Sequence, residues 1–306
     1  MNSAASEPAL IGIDWGTSSL RAFLIGAQGE VLDKVSSAEG IMHVKDGDFE
    51  AVFRKLIAVW GANAKVPVLA SGMITSRNGW VETPYAQVPL GAGDLARALV
   101  PHPTSCGMDL RFITGVTTDH AAGPDVMRGE ETQIIGAQAL GMSDGTFVMP
   151  GTHSKWIRVA DDRIEDYATY MTGEIFAALK GHTILGTLIE DGPYDAEGFS
   201  RGVAAGLDKG SSLLHDLFHV RTLPLMGRME SRSVADFLSG LLIGAEVKAA
   251  QDRGDATAAV TIIGRSDLAD RYETALTAAG LHSTRAPDDI VASGHFLIAQ
   301  AAGLIS

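Results

Sequence analysis

Ile11-Gly12-Ile13-Asp14-Trp15-Gly16-Thr17-Ser18-Ser19-Leu20-Arg21-Ala22-Phe23-Leu24 is the stretch whose reading decides the fold. An apolar run from Leu10 ends at the carboxylate of Asp14, the chain turns at Gly16-Thr17-Ser18, and a second apolar run continues to Ile25. Strand, tight turn, strand is the economical reading, with Gly16 supplying the backbone angles a tight turn needs. Such a turn aims consecutive N–H groups into one concavity, which suits phosphate oxygens. Asp14 beside it would repel phosphate unless Mg²⁺ or its water shell stood between them. The plainer alternative is a hairpin whose Asp and Thr only satisfy turn backbone.

At 306 residues, 46% hydrophobic and 20% charged, the chain has the length for two domains. Its apolar stretches are broken by Gly and polar residues well short of a membrane span. Met1 to Pro8 shows neither the basic start nor the apolar centre of a secretory signal. A single cysteine, Cys106, excludes an internal disulfide and fits a reducing compartment. The net charge of −13 argues against nucleic acid or an anionic membrane as main partner. An anionic small substrate stays open, because a local basic cluster or a metal reverses the field inside a cleft. The expectation is a soluble cytoplasmic protein of two lobes, with homo-oligomerisation left open.

After the opening pair, a Gly26–Gly29 turn leads to a third strand, Val31–Ser36, as in a meander with short connections. Residues 49–60 switch to helical period through Phe49, Val52, Phe53, Leu56, Ile57 and Trp60. A strand at Val66–Ala70 empties into the polar, Gly-punctuated loop Ser71–Trp80, where α/β proteins place ligand contacts. Ser71, Gly72, Met73, Arg77 and Trp80 are therefore candidate substrate contacts. A strand at Arg111–Thr118 leads through Asp119–Pro124 to a helix from about Arg128 to Leu140. The pattern then restarts. Thr146–Met149, a turn at Pro150–Ser154, Lys155–Ala160, Asp161-Asp162 and Arg163–Tyr170 repeat strand, Gly-Thr turn, strand, turn, strand, with Gly151 standing 135 residues after Gly16. The repeat is asymmetric, since Met149 stands where the first copy has Asp14. Helices follow over about 173–190, 199–217 and 234–252, the last with Gly240, Gly244 and Ala245 for close packing. Val260–Ile263 is a strand ending at Gly264-Arg265-Ser266, before helices from Asp267 and from about Asp289 to Leu304. This suggests an N-terminal lobe over 1–140 and a C-terminal lobe over 141–306, with the last helix free to pack back on the first. No long linker separates them, which favours a cleft.

Two Gly-Thr turns facing each other across such a cleft would clamp a polyphosphate. Gly16, Thr17 and Ser18 form one jaw, and Gly151, Thr152, His153, Ser154 and Lys155 the other, with Arg21 just beyond. Phosphoryl transfer asks mainly for positioning and electrostatic stabilisation, so this clamp with Mg²⁺ on Asp14 would be most of the machinery. Pro124–Gln133 gathers Asp125, Glu130 and Glu131. Such acids are common at helix starts because they complement the dipole, yet a kinase acting on an alcohol also needs one carboxylate near the accepting hydroxyl. Arg77 could grip a substrate carboxylate bidentately, or be a solvated loop residue. Gly264 could lie against a nucleotide base, or begin an ordinary strand-to-helix turn. No Gly-x-x-x-x-Gly-Lys-Ser/Thr occurs, and the histidines lack metal spacing.

The chain resembles the actin, hexokinase and heat-shock chaperone superfamily, and within it the 2-dehydro-3-deoxygalactonokinases. The resemblance runs nearly end to end, on Ile13–Ala22, Ser71–Ile74, Pro124–Gln133, Met149–Trp156 and Met171–Glu174. It implies an α/β fold of two ribonuclease-H-like lobes, with mixed sheets and flanking helices around a central cleft holding ATP and Mg²⁺. It also implies transfer of the γ-phosphoryl group of ATP to the 6-hydroxyl of 2-dehydro-3-deoxy-D-galactonate in galactonate catabolism. By position, Asp14 matches the metal-associated Asp, Gly151-Thr152 the second phosphate turn and Gly264 the adenosine motif. Related sugar kinases carry an Asp as base where this chain offers Asp125, Glu130 and Glu131, and Glu130 is the favoured match. A kinase of another sugar or sugar acid, or a non-kinase actin-like ATP switch, are the alternatives.

Overall fold

The computed structural model describes residues 7–61, 66–210 and 212–306. Met1–Ser6, part of the stretch inspected above for a secretion signal, and Ser211, inside the helix expected over 199–217, lie outside the described residues. In chain order the elements are β1 (Pro8–Trp15), β2 (Leu20–Gly26), β3 (Val31–Ser37), α1 (Phe49–Ala58), β4 (Val68–Ser71), β5 (Tyr85–Gln87) and α2 (Ala92–Arg97). Next come β6 (Val100–His102), β7 (Leu110–Phe112), β8 (Gly115–His120), β9 (Gly123–Met127), α3 (Glu130–Gln138), β10 (Gly145–Met149), β11 (Ser154–Ala160) and β12 (Arg163–Tyr170). The chain closes with α4 (Thr172–His182), α5 (Ala196–Leu207), α6 (Leu213–Asp216), α7 (His219–Leu225), α8 (Val234–Arg253), β13 (Ala259–Ile262), α9 (Ser266–Ala278), β14 (His282–Arg285) and α10 (Ile290–Ala301).

These form a mixed α/β structure with three sheets, ordered β3-β2-β1-β4-β7-β6, β12-β11-β10-β13-β14 and β5-β8-β9. The first two repeat one plan, a run of sequence neighbours and then two strands added in parallel, to which the first sheet adds antiparallel β6. β4 pairs in parallel with β1, and β7 with β4, just as β13 pairs with β10 and β14 with β13. Two compact units divide the chain: 1–144 with 159–166 and 288–306, and 145–158 with 167–287.

In the first unit β1 is buried on both faces, which explains why it reads as a nearly unbroken apolar run. Ile11, Ile13 and Trp15 join a core with Phe53, Leu56 and Ile57 of α1. On the opposite face α10 comes so close that a Cβ on Gly12 would lie 2.6 Å from the His295 ring. Helix α10 is held there by α3 through two reciprocal glycines. A Cβ on Gly136 would stand 1.9 Å from the Ile290 carbonyl oxygen, and one on Gly294 1.9 Å from that of Thr132. In the second unit Val148, Trp156, Val260 and Ile262 pack against Phe199, Val203, Ile243, Val247 and Tyr272 of the helical layer.

Several elements differ from the sequence reading. Asp119–Pro124, read as a lead into a helix, closes the β8–β9 hairpin, so Asp125 sits on a strand and α3 starts at Glu130. The helix expected over 173–190 stops at His182 and continues as a short 3₁₀ segment, Ile184–Leu188. The one expected over 199–217 is two, α5 and α6. Among the described residues no helix is long and apolar enough to cross a membrane.

Candidate active site

In the first unit three segments meet at the carboxyl end of the sheet. Asp14 and Ser71 stand opposite each other in the parallel β1–β4 register. The tight turn after β1 closes by Gly16 N–H donating to the Ser19 carbonyl at 2.9 Å, leaving Thr17 and Ser18 exposed. After β4 the backbone bends at Gly72, whose φ of 93° and ψ of −159° suit glycine alone. Gly129, at φ 110°, caps α3 and backs onto it: a Cβ there would lie 3.1 Å from Gly72 Cα. A Cβ on Gly72 would meet the Trp15 carbonyl oxygen at 2.9 Å and Asp14 Oδ1 at 3.3 Å. Asp14, Gly72 and the Gly129-Glu130 helix start are thus neighbours, with the backbones of the two glycines packed directly against each other.

The Asp14 carboxylate is oriented by Arg21, which donates to Oδ2 from Nε at 3.2 Å and Nη2 at 2.6 Å. Both bonds fall on Oδ2, so Oδ1 faces Gly72 without an arginine bond. One carboxylate oxygen, with the remaining places left to water and phosphate, is how Mg²⁺ is commonly held. No group of three acidic, histidine or cysteine side chains poised for a metal occurs among the described residues. The donor set therefore fits Mg²⁺ arriving with phosphate better than an ion in an all-protein cage.

Of the three candidate bases, Glu131 is fully buried. Its carboxylate accepts from Gly129 N–H at 2.7 Å and from the Thr132 hydroxyl at 3.0 Å. Burial, with Glu130 adjacent, pushes its pKa up to about 8. It is built into the helix start. Asp125 accepts from Val126 N–H on β9. Glu130 is half-buried and accepts from Arg128 N–H at 3.0 Å, beside Gly129 and Gly72.

Arg77 is 85% exposed and pairs with Glu82, outside this cluster. Trp80 packs its ring 5.8 Å from that of Phe53 and 5.9 Å from that of Phe112, as part of the core. Met73 is half-buried at the start of the turn Met73–Thr75. Three residues were not singled out from sequence. His295 of α10 is fully buried, 3.0 Å from the Ser71 hydroxyl through Nε2, with Nδ1 unpartnered. Burial and the nearby Arg21 charge hold its pKa at about 3, so it is neutral. Arg128 ties the Ser71–Trp80 loop to the start of α3. Glu246, in the second unit, is taken up below. No local spacing announces these residues, since Ser71 and His295 are 224 positions apart.

In the second unit the turn Gly151-Thr152-His153 is open to solvent while Ser154 and Lys155 are buried in β11. The Ser154 hydroxyl lies 2.8 Å from that of Tyr272, and Lys155 Nζ donates to the His153 carbonyl at 3.1 Å. Ser154 is thereby tied to α9. The Met171–Glu174 segment clasps the turn. Glu174 N–H donates to the Thr152 carbonyl at 3.0 Å, and Gly173 lies so close that a Cβ would be 2.3 Å from the Gly151 carbonyl oxygen. Beneath, buried Glu246 accepts from Trp156 Nε1 at 2.8 Å, from Tyr272 at 2.7 Å and from Thr172. Burial raises its pKa. Gly264 follows β13 beside Pro150, at the same carboxyl end of the sheet.

The model of the family 2-keto-3-deoxy-galactonokinase matches residues 14–298. A 2-dehydro-3-deoxygalactonokinase of Escherichia coli (strain K12) is 36% identical over 280 residues, 91% of this chain and 93% of that one. The crystal structure of a Sinorhizobium meliloti protein assigned to the same activity superposes with a TM-score of 0.88 at 34% identity, covering 95% of this chain and 98% of that one. A xylulose kinase from Lactobacillus acidophilus, at 11% identity and TM-score 0.51 over 96% of this chain and 89% of its own, shares the fold. With the family match spanning both compact units, the chain belongs to the 2-keto-3-deoxy-galactonokinase family.

Proposed function

We propose that this chain transfers the γ-phosphoryl group of ATP to the 6-hydroxyl of 2-dehydro-3-deoxy-D-galactonate, with the first-unit cluster as the place of chemistry. Members of the family are phosphotransferases with an alcohol acceptor. The observation that carries the residue roles is the meeting of Asp14, Gly72 and the Gly129-Glu130 helix start. A carboxylate suited to a metal and a carboxylate suited to a base are thereby carried on backbones that adjoin through two glycines.

Asp14, oriented by Arg21, would hold Mg²⁺, which when bound offsets the charge of the nucleotide phosphates. Thr17 and Ser18 would offer N–H groups and hydroxyls to phosphate oxygens, with Gly16 closing their turn, and Gly151, Thr152 and His153 would do the same from the second unit; Gly264 would meet the adenosine. Glu130 takes the proton of the sugar hydroxyl as its oxygen attacks. Ser71, Gly72 and Met73 line the sugar. Glu131 and the buried Ser154 and Lys155 serve as supports for these loops.

The test is ADP release measured across a panel of sugar acids. Turnover should depend on 2-dehydro-3-deoxy-D-galactonate, and Asp14→Asn should lower kcat by at least about 100-fold without unfolding the protein. Slow ATP hydrolysis indifferent to every sugar acid would overturn the kinase reading. An Asp14→Asn variant of full activity would remove Asp14 from the site.

A further inference from the structure

Arg128 is a partly buried cation held by neutral groups. Nη1 donates to the Thr75 hydroxyl at 2.5 Å and the Thr83 hydroxyl at 2.7 Å, and Nη2 donates to the Thr83 carbonyl at 3.2 Å. The Tyr85 ring lies 4.4 Å from the guanidinium carbon. No carboxylate among the described residues pairs with it. A guanidinium carries five N–H groups, of which these bonds use three. Those left are one on Nη2 and the one on Nε, a buried donor with no acceptor. Nε and Nη2 form the edge along which a guanidinium takes a carboxylate bidentately, the edge Arg111 uses on Asp109 here. A partly buried charge without a counter-ion is unfavourable, and an unfilled donor edge on a rigidly clamped arginine points to an anionic ligand.

Its position agrees. Arg128 directly precedes Gly129, which backs onto Gly72, and the Thr75 hydroxyl that accepts from Arg128 also donates to the Gly72 carbonyl at 3.0 Å. Arg21 is already engaged by Asp14, and Arg77 is out in solvent with Glu82. We propose that Arg128 is the residue that recognises the carboxylate of the sugar-acid substrate, and that Arg77 is not. The inference rests on the sugar-acid kinase reading above and deepens it: preference for an acid over its neutral analogue comes from one arginine preset by Thr75, Thr83 and Tyr85.

The experiment compares two acceptors, the 2-dehydro-3-deoxy sugar acid and the 3-deoxy-ketohexose in which the carboxylate is a hydroxymethyl group. Wild type should strongly prefer the acid. Arg128→Gln should raise KM for the acid by about 100-fold, leave kcat/KM for the neutral analogue within about threefold, and leave KM for ATP unchanged. Arg128→Lys, which keeps the charge, should retain part of the preference, and Arg77→Ala all of it. An equal loss on both acceptors would make Arg128 a structural tie only, and a collapse of preference in Arg77→Ala would move the role there. Should wild type use the neutral analogue as readily as the acid, the sugar-acid reading itself fails, and this inference with it.

Discussion

Glu130 and Glu131 are neighbours in sequence with opposite surroundings. Glu131 is wholly buried and spends its oxygens on Gly129 N–H and the Thr132 hydroxyl; Glu130 is half-buried, next in sequence to Gly129, which packs on Gly72. Glu130→Gln should therefore lower kcat by about 10²- to 10⁴-fold, the range for loss of a general base, with little change in KM for ATP. Glu131→Gln keeps an oxygen for Gly129 N–H and presents an NH₂ to the Thr132 hydroxyl, which can rotate to accept it, so its kcat should stay within about tenfold of wild type. Reversal of that order in steady-state assays would exchange the two roles. Glu246 follows the logic of Glu131: a buried carboxylate satisfied by Trp156, Tyr272 and Thr172 holds a loop in place instead of meeting substrate.

Among the elements, α10 links the end of the chain to the beginning of the site. Its His295 backs the Ser71 hydroxyl, and Asp289 at its N-terminus bonds Lys34 at 2.6 Å and lies 3.7 Å from Arg21, the partner of Asp14. The helix can approach only because Gly294 and Gly136 leave room for each other's neighbouring carbonyls. A methyl group at Gly294 would lie 1.9 Å from the Thr132 carbonyl oxygen, on backbone that cannot swing away. Gly294→Ala should cost about 1–3 kcal/mol by overpacking, seen as a lower Tm, and should lower kcat through the displaced Ser71. An unchanged Tm would show that α3 and α10 can separate freely. The close helix packing expected from Gly240 and Gly244 has the same origin: a Cβ on Gly240 would lie 2.1 Å from the Phe199 carbonyl oxygen, and one on Gly244 2.6 Å from that of Val203.

For the molecule as a whole, two of the buried groups, His295 and Glu131, contribute opposing pH dependences of stability. His295 has its pKa held at about 3 against an ordinary 6.5, so between those values the unfolded chain binds the proton that the folded one refuses. Stability from this group is lost as pH falls below 6.5. Glu131, raised from 4.5 to about 8, keeps its proton when folded, so its contribution is lost as pH rises from 4.5 to 8. Each slope approaches about 1.4 kcal/mol per pH unit within its window. The two oppose each other between 4.5 and 6.5, leaving their joint contribution flat there, with a decline on either side. Thermal melts should show Glu131→Gln flattening the alkaline limb and His295→Gln the acid limb. Variant profiles that merely run parallel to wild type would refute both assignments.

What the amino-acid sequence by itself determined was local. The apolar runs around Asp14, the Gly-Thr turns, the recurrence of strand and turn after residue 145, and helix α8 are all legible, because period and turn chemistry act over a few residues. The β8–β9 hairpin was not, since β9 alternates half-buried and exposed residues and is held by pairing with β8 rather than by its own propensity. Tertiary structure alone decided which carboxylate at the start of α3 is buried, which arginine is clamped beside Gly72, and that a histidine 224 residues away stands behind Ser71. A side chain's chemistry is inherited from the chain, but its burial, partners and protonation come from neighbours that folding brings in from elsewhere.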